Sequence, residues 1–340
     1  MSDLPVLEAP PPTLFIGDAE VAALADWPAV VAALAAAYAR PLSPAMLPPR
    51  SMARGDGIWL RSLSAVSPGV PPDGGHLGCK LIAASPRARR ASYLVALFDP
   101  ATMALSALID GNRITGLRTA GTAAVAVDRL APRRPLTVAV IGAGFEARGA
   151  LHALRAVREL RQVRVYSPTP ASRERFAAAF GPALDITAVD RAEAAVRGAE
   201  LVICAARSRD ESPVLRGAWL PRGATVVSLG STLPEQREVD EDTMARAACI
   251  VADMPDEVLH DTGDAIAAVR AGVPLAGKLL PLADVVAGRT TPRRAAGDIV
   301  LYKSVGSALQ DVVIAELLLA RARQRGLGTA LPASIVPVAK

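Results

Sequence analysis

The segment Leu136-Thr137-Val138-Ala139-Val140-Ile141-Gly142-Ala143-Gly144-Phe145-Glu146-Ala147 constrains this chain more than any other. An apolar, β-branched run ends in a glycine, a second glycine follows after one residue, and a small residue comes three positions later. This is G-x-G-x-x-A between a strand and a helix, the context in which the motif binds a dinucleotide. The first glycine makes the tight turn, the second leaves room for a pyrophosphate, and the alanine lets helix and strand pack closely. Free amides and the helix dipole favour phosphate there. The chain after Leu136 has the matching texture: 137–141, 163–166, 201–205, 225–229 and 249–252 read as strands, with helices over 147–159 and 173–179. Such alternation predicts an α/β fold with a Rossmann-type, doubly wound parallel sheet.

The earlier part reads differently. After a proline-rich lead-in over 4–12, Asp18 is placed to cap a helix through Leu24, and an alanine-rich helix covers 27–40. Residues 57–63 and 77–82 read as strands, and 92–98 and 104–109 as an antiparallel pair about Asp99-Pro100. The loop 64–75 has no readable role. A long apolar-periodic helix over 307–326 is expected to return to this mixed α+β part. At 340 residues two domains are expected, with Arg133-Arg134-Pro135 as a boundary. The expected division is 1–130 plus 311–340 for one domain and 131–310 for the other.

Composition narrows the function. The net charge is +5, but the arginines are scattered and aromatics make up 4% of residues, so no base-stacking platform is present and no nucleic-acid partner is expected. The charge suits anionic small molecules. Cys79, Cys204 and Cys249 are widely spaced and do not cluster with His76, His152 or His260, so neither a disulfide framework nor a metal site is expected. The amino terminus, with Asp3, Glu8 and several prolines, lacks the features of a signal peptide, and the apolar runs fall short of a membrane span. A reduced, cytoplasmic setting is the expectation.

Two further stretches speak to ligands. In Asp110-Gly111-Asn112-Arg113-Ile114-Thr115-Gly116-Leu117-Arg118-Thr119-Ala120, an arginine suited to reading a carboxylate precedes the dinucleotide turn. After the second strand come Ser167-Pro168-Thr169 in place of the acid that binds a ribose 2′-hydroxyl. Their hydroxyls, with Arg164 or Arg173, suit a 2′-phosphate, which favours NADP over NAD; the other reading is that they cap the next helix.

Taken together the motifs resemble the ornithine cyclodeaminase and mu-crystallin family: Pro48-Pro49-Arg50, Gly78-Cys79-Lys80, Asp110-Gly111-Asn112 with Thr115 and Arg118-Thr119-Ala120, Gly142-Ala143-Gly144, and Leu301-Tyr302-Lys303-Ser304-Val305-Gly306 followed by Gln310-Asp311. The resemblance implies a Rossmann domain inserted in a mixed α+β domain that binds substrate and forms a homodimer. It implies that Arg50, Lys80 and Arg118 surround a substrate carboxylate. The expected cofactor contacts are Gly142, Ala143, Gly144, Phe145, Glu146 and Ala147 of the glycine turn and Ser167, Pro168 and Thr169 after the second strand, to which the resemblance adds Thr119, Ser304, Val305 and Gly306. Paired arginines suit a carboxylate because each gives two parallel charge-assisted bonds. Beside them the Lys80 ammonium is expected to be disfavoured, which would ready it for proton exchange with a substrate nitrogen. Each basic residue also has a plainer reading: Arg50 as a surface loop residue, Lys80 pointing outward from a strand, Arg118 paired on a helix face. Asp311 is expected to complement a helix dipole, Asp264 to be structural, and His76 and His260 to be bystanders.

The sequence departs from the family in one place. Cyclodeaminases carry an aspartate at or beside Thr232, and 228–234 contains no acid here. Glu235 and Glu238 follow; a register shift would let either compensate, but each is expected to be a solvated loop or cap residue. The segment resembles instead that of mu-crystallin and bacterial ketimine reductases, which reduce Δ1-pyrroline-2-carboxylate or Δ1-piperideine-2-carboxylate to proline or pipecolate. The expected activity is therefore NAD(P)H-dependent reduction of a small cyclic imino acid. The alternatives are an ornithine cyclodeaminase-type enzyme, an amino-acid dehydrogenase or reductive aminase, and a cofactor-bound binding protein with little turnover.

Overall fold

Alternation of apolar and small residues builds the first sheet, and mostly apolar runs build the central strands of the second. The computed structural model describes residues 11–70, 75–208 and 210–338. Most of the lead-in, and 71–74 of the loop 64–75, lie outside the described residues. The first sheet holds β1 (Leu14–Ile16), β2 (Ser51–Gly55), β3 (Ile58–Val66), β4 (Leu77–Ser85), β5 (Arg90–Phe98) and β6 (Leu105–Asp110). β2 to β6 form an antiparallel meander, and β1 lies parallel to β6.

The second sheet holds β7 (Leu136–Ile141), β8 (Leu160–Tyr166), β9 (Ile186–Val189), β10 (Leu201–Cys204), β11 (Thr225–Ser228), β12 (Ala247–Ala252), β13 (Leu279–Pro281) and β14 (Ile299–Lys303). All its pairings are parallel, in the order β13-β12-β14-β11-β10-β7-β8-β9. β7, β10, β11 and β14 are buried at every position, as strands covered on both faces must be. The expected doubly wound parallel sheet is therefore present. A short β15 (Thr329–Ala330) pairs with β1 and completes the first sheet at seven strands.

The helices are α1 (Asp18–Leu24), α2 (Trp27–Ala39), α3 (Gly111–Leu130), α4 (Phe145–Arg155), α5 (Pro170–Phe180), α6 (Ala192–Val196), α7 (Glu241–Arg246), α8 (Pro255–Asp261), α9 (Gly263–Arg270), α10 (Leu282–Val286) and α11 (Ala308–Arg325). Among the described residues no single helix is long and apolar enough to cross a membrane. Asp18 is not the cap of α1: Gly17 holds that position and donates its N–H to Glu20 Oε2 at 3.1 Å, while Asp18 pairs with Arg113 at 2.8 Å.

Contacts divide the chain into two units. The first contains the described residues up to Asp26, then Pro41–Thr115, and those from Ala308 onward; the second contains Trp27–Arg40 and Gly116–Ser307. Relative to the division expected from sequence, α2 and most of α3 lie in the second unit. The reason is packing. A Cβ at Gly121 on α3 would lie 2.7 Å from both Leu34 and Val30 of α2, and Trp27 of α2 stacks on His152 of α4 at 6.2 Å.

In the first unit α11 lies against β3, β4 and β5. Gly78 makes that approach possible, since a Cβ there would stand 2.6 Å from Val312 of α11 and 3.1 Å from Leu97 of β5. Gly78→Val should therefore force α11 off the sheet and cost about 1–3 kcal/mol. Urea unfolding checks this as a lowered midpoint; an unchanged midpoint would show that α11 has room to spare.

Candidate active site

The register of the first sheet brings Arg50, Arg61 and Lys80 to one face. Leu63 of β3 lies opposite Lys80 of β4, which lies opposite Val95 of β5. Directly opposed residues share a face, as do residues two apart on a strand. Arg61, opposite Ile82, therefore shares the face of Lys80, as does Tyr93. Continuing β2 back by one residue from the Ser51–Ser62 pair sets Arg50 level with Leu63 on that same face. The plain reading of Lys80 as an outward residue fails: its side chain is 1% exposed.

Lys80 is buried with partners. Its Nζ donates to Asp311 Oδ1 at 2.8 Å and to Thr115 Oγ1 at 2.7 Å, and it lies 5.6 Å from the Tyr93 ring centroid. Thr115 passes its own hydroxyl proton to Gly111 O at 2.9 Å, which leaves its lone pairs for Lys80. One expectation is corrected here. Asp311, also 1% exposed, is the ion-pair partner of Lys80 and not merely a dipole complement.

α3 begins where Asp110 Oδ1 accepts from the Asn112 N–H at 2.9 Å, and it carries Thr115, Arg118 and Thr119 within successive turns. Within the second unit the Arg118 guanidinium lies over Gly306, where any Cβ would collide with it. Gly306 also has φ +80, a conformation that favours glycine. Thr119 is buried on the same helix.

In the second sheet one register line passes through Val189, Tyr166, Ile141, Cys204, Ser228, Lys303 and Ala252, the last described strand positions before the chain turns. Gly142, Ser167 and Ser304 each follow such a position, so the cofactor residues expected from sequence meet at the carboxyl edge. The strand order reverses between β7 and β10, and a sheet of this kind takes its ligand at that point.

The turn after β7 fits a dinucleotide. Gly142 has φ +109, and a Cβ there would stand 2.5 Å from Ala205 O; Gly144 has nothing within 4 Å of the same position. One glycine is thus required by the turn, and the other opens a space a pyrophosphate can enter. Gly144 is the N-cap of α4, Ala147 is fully buried beneath it, and Phe145 is 65% exposed. Ala143 and Glu146 complete the turn. After β8, Thr169 is the N-cap of α5 but makes no side-chain capping bond, which leaves its hydroxyl for another partner. Arg173 donates to Ser167 O at 3.0 Å beside exposed Pro168. Arg164 is directed elsewhere: it donates to Ala194 O at 3.1 Å and Arg197 O at 2.7 Å, and partial burial lowers its pKa.

Two groups of acids were not legible as site residues. Asp253, which follows β12, accepts from Ser304 Oγ at 2.7 Å, Val305 N at 3.0 Å and Gly306 N at 2.8 Å. It fixes the turn that contains the three expected cofactor contacts. Glu238 is fully buried, contrary to the expectation of a solvated residue. Its Oε1 accepts from Ala206 N at 2.9 Å, and its Oε2 from Gly230 N at 2.9 Å and Ser228 Oγ at 2.5 Å. Burial raises the Glu238 pKa while Lys303 opposes the rise. Lys303 Nζ pairs with Asp264 Oδ2 at 2.9 Å and donates to Ser228 Oγ and Ser231 O. Asp264 is structural, as expected. Thr232 bonds through its N–H and hydroxyl to Gln236 Oε1, at 3.0 and 3.3 Å, and Glu235 is exposed. His76 is also structural: with Ser67 it binds buried Glu316.

The chain is similar to known proteins over most of its length. A model of the ornithine cyclodeaminase/mu-crystallin family matches residues 73–326. The chain is 27% identical over 278 residues to Delta(1)-pyrroline-2-carboxylate reductase of Bacillus cereus, covering 79% of this chain and 84% of that protein. It is 30% identical over 226 residues to ketimine reductase mu-crystallin of Mus musculus, covering 66% and 67%. The solved structure of Thermococcus litoralis Delta(1)-pyrroline-2-carboxylate reductase in complex with NADH and L-proline is similar with a TM-score of 0.84 at 27% identity, over 94% of this chain and 100% of that one. This chain therefore belongs to the ornithine cyclodeaminase/mu-crystallin family and is an NAD(P)-dependent oxidoreductase.

Proposed function

We propose that this protein is an NAD(P)H-dependent reductase of small cyclic imino acids, converting Δ1-pyrroline-2-carboxylate or Δ1-piperideine-2-carboxylate to proline or pipecolate. The observation that carries the reading is the Lys80 ammonium, buried against Asp311 and Thr115 on the sheet face that also holds Arg61. Reductases among the relatives, one solved with NADH and L-proline, support it. The nicotinamide, when bound, supplies the hydride. Gly142, Ala143, Gly144, Phe145, Glu146 and Ala147 would hold its pyrophosphate, and Ser304, Val305 and Gly306, with Thr119, its nicotinamide end.

The chain's own tasks are then few. Arg50, Lys80 and Arg118 are the residues proposed to bind the substrate carboxylate, each arginine through paired charge-assisted bonds. Lys80 gives a proton to the substrate nitrogen as the adjacent carbon is reduced, so that the C=N bond becomes CH–NH. Asp311 and Thr115 hold the Lys80 ammonium in place for that transfer. Hydride transfer to a C=N bond next to a carboxylate needs no further acid.

A cyclodeaminase would need one, and 228–234 contains none. Thr232 bears no acid, and the oxygens of Glu238 are filled by three donors in the interior. NADP is proposed over NAD, because β8 ends at Tyr166 without an acid while the Thr169 hydroxyl and Arg173 stand in the following turn. A homodimer is proposed to form on the outer face of the first sheet. There Ile58 is 58% exposed, Leu60 is 46% exposed, and an apolar groove of about 590 Å³ runs beside Ala83 and Ser92. Cys79, Cys204 and Cys249 are free thiols, consistent with a reducing, cytoplasmic setting.

Three measurements test this reading. Absorbance assays with each cyclic imine should show oxidation of NADPH faster than of NADH; turnover confined to 2-oxo acid plus amine would replace the imine reductase with a reductive aminase. Lys80→Gln should lower kcat by about 10²–10⁴-fold while cofactor affinity is kept, and unchanged kcat would remove the proton-donor role. Light scattering should give twice the 35.2 kDa chain mass, falling to one chain in the Ile58→Glu, Leu60→Arg double variant; a monomeric wild type would refute the dimer.

A further inference from the structure

The second sheet has another pocket, at the amino edge of its strands. The segments entering β7, β10, β11 and β14, together with the end of α3, enclose about 560 Å³. Its charged lining is Arg129, Arg134, Arg222 and Arg293 against the single acid Glu200. Gly142 and Ser304 follow the other ends of these strands, so the pocket lies apart from the proposed cofactor residues.

The acids at this edge are already engaged. Glu200 Oε1 pairs with Arg134 at 2.5 Å, and its Oε2 accepts from Thr137 N at 3.1 Å and lies 3.5 Å from Arg161. Asp298 accepts from Arg294 N at 2.9 Å and Ala295 N at 2.8 Å. Arg293 has a structural duty: it donates to Thr225 Oγ1 at 3.0 Å, to Leu130 O at 3.4 Å and to Asp298 O, yet its buried Nε has no partner.

Arg129 and Arg222 have no such duty. Neither makes a hydrogen bond or ion pair among the described residues, although Arg129 ends α3, where a cation suits the helix dipole. The Arg222 guanidinium packs against Gly297, where a Cβ would stand 2.9 Å from Nη2. The pocket is thus lined by two exposed arginines that have no counter-ion among the described residues, and its volume is in the range of small-molecule sites. Each guanidinium presents a planar fork matched to an oxyanion.

We propose that this pocket binds a small organic anion carrying two or more negative charges, held by Arg129 and Arg222. Phosphate and carboxylate groups share that chemistry. Calorimetry distinguishes them: protein saturated with its nicotinamide cofactor, so that the turn at Gly142 is filled, is titrated with inorganic pyrophosphate and separately with citrate. Binding of either is expected. Pyrophosphate alone would mark a phosphate site and citrate alone a carboxylate site. The Arg129→Ala, Arg222→Ala double variant should weaken that binding at least about tenfold with cofactor affinity unchanged. The Arg222→Lys variant, which keeps the charge but loses the fork, should fall between the two. No binding of either anion, or equal affinity in the double variant, would overturn the proposal.

Discussion

The first unit depends on a buried ion pair. Lys80 comes from the middle of a sheet, Asp311 from the opening turn of a helix more than two hundred residues later, and Thr115 from the start of another helix. An ammonium stripped of water costs several kcal/mol, and only a partner with good geometry offsets that cost. α11 must therefore seat itself over β4 before the lysine can be accommodated. Gly78, two residues before Lys80 and under Val312, gives the helix room to do so. The residue proposed to move a proton is thus one that also joins distant parts of the chain.

The second unit applies the same rule to its ligand edge. Lys303 and Asp264 form a fully buried pair, and Glu238 accepts three hydrogen bonds next to it. These groups brace the turns after β11 and β14 from beneath. Asp253 then fixes Ser304, Val305 and Gly306 by three bonds of its own. A turn held this way is set before any ligand arrives, which lowers the ordering cost of binding. The network also explains how a segment without an acid at Thr232 keeps its shape: its carboxylate is inside, serving the backbone.

Much of this was legible along the chain. The glycine spacing at 142–144 and the strand texture after Leu136 gave the parallel sheet, because strands buried on both faces must be apolar throughout. β9, β13 and β14 were harder to read. β9 and β13 are short, and β14 carries a lysine at its end, so neither length nor apolarity marks them. α3 was also unassigned, since its polar and glycine residues obscure the helical period. Arg61 left a signal that could have been used, a charge in the inward phase of an alternating strand. Asp253 left none, because its partners are amides supplied by another strand end.

The sequence alone determined which residue types stand at which spacing: a glycine turn between strand and helix of the kind suited to a pyrophosphate, and arginines of the kind suited to a carboxylate. These are local properties, and short-range geometry is enough to express them; that 228–234 lacks a cyclodeaminase acid is read only through the family resemblance. Tertiary structure decided which charges meet. It paired Lys80 with Asp311, buried Glu238, turned Arg164 toward α6, and left Arg129 and Arg222 without counter-ions among the described residues. The state of a charge depends on its distance to other charges and to water, and those distances exist only once β-strand register and helix packing have brought remote residues together.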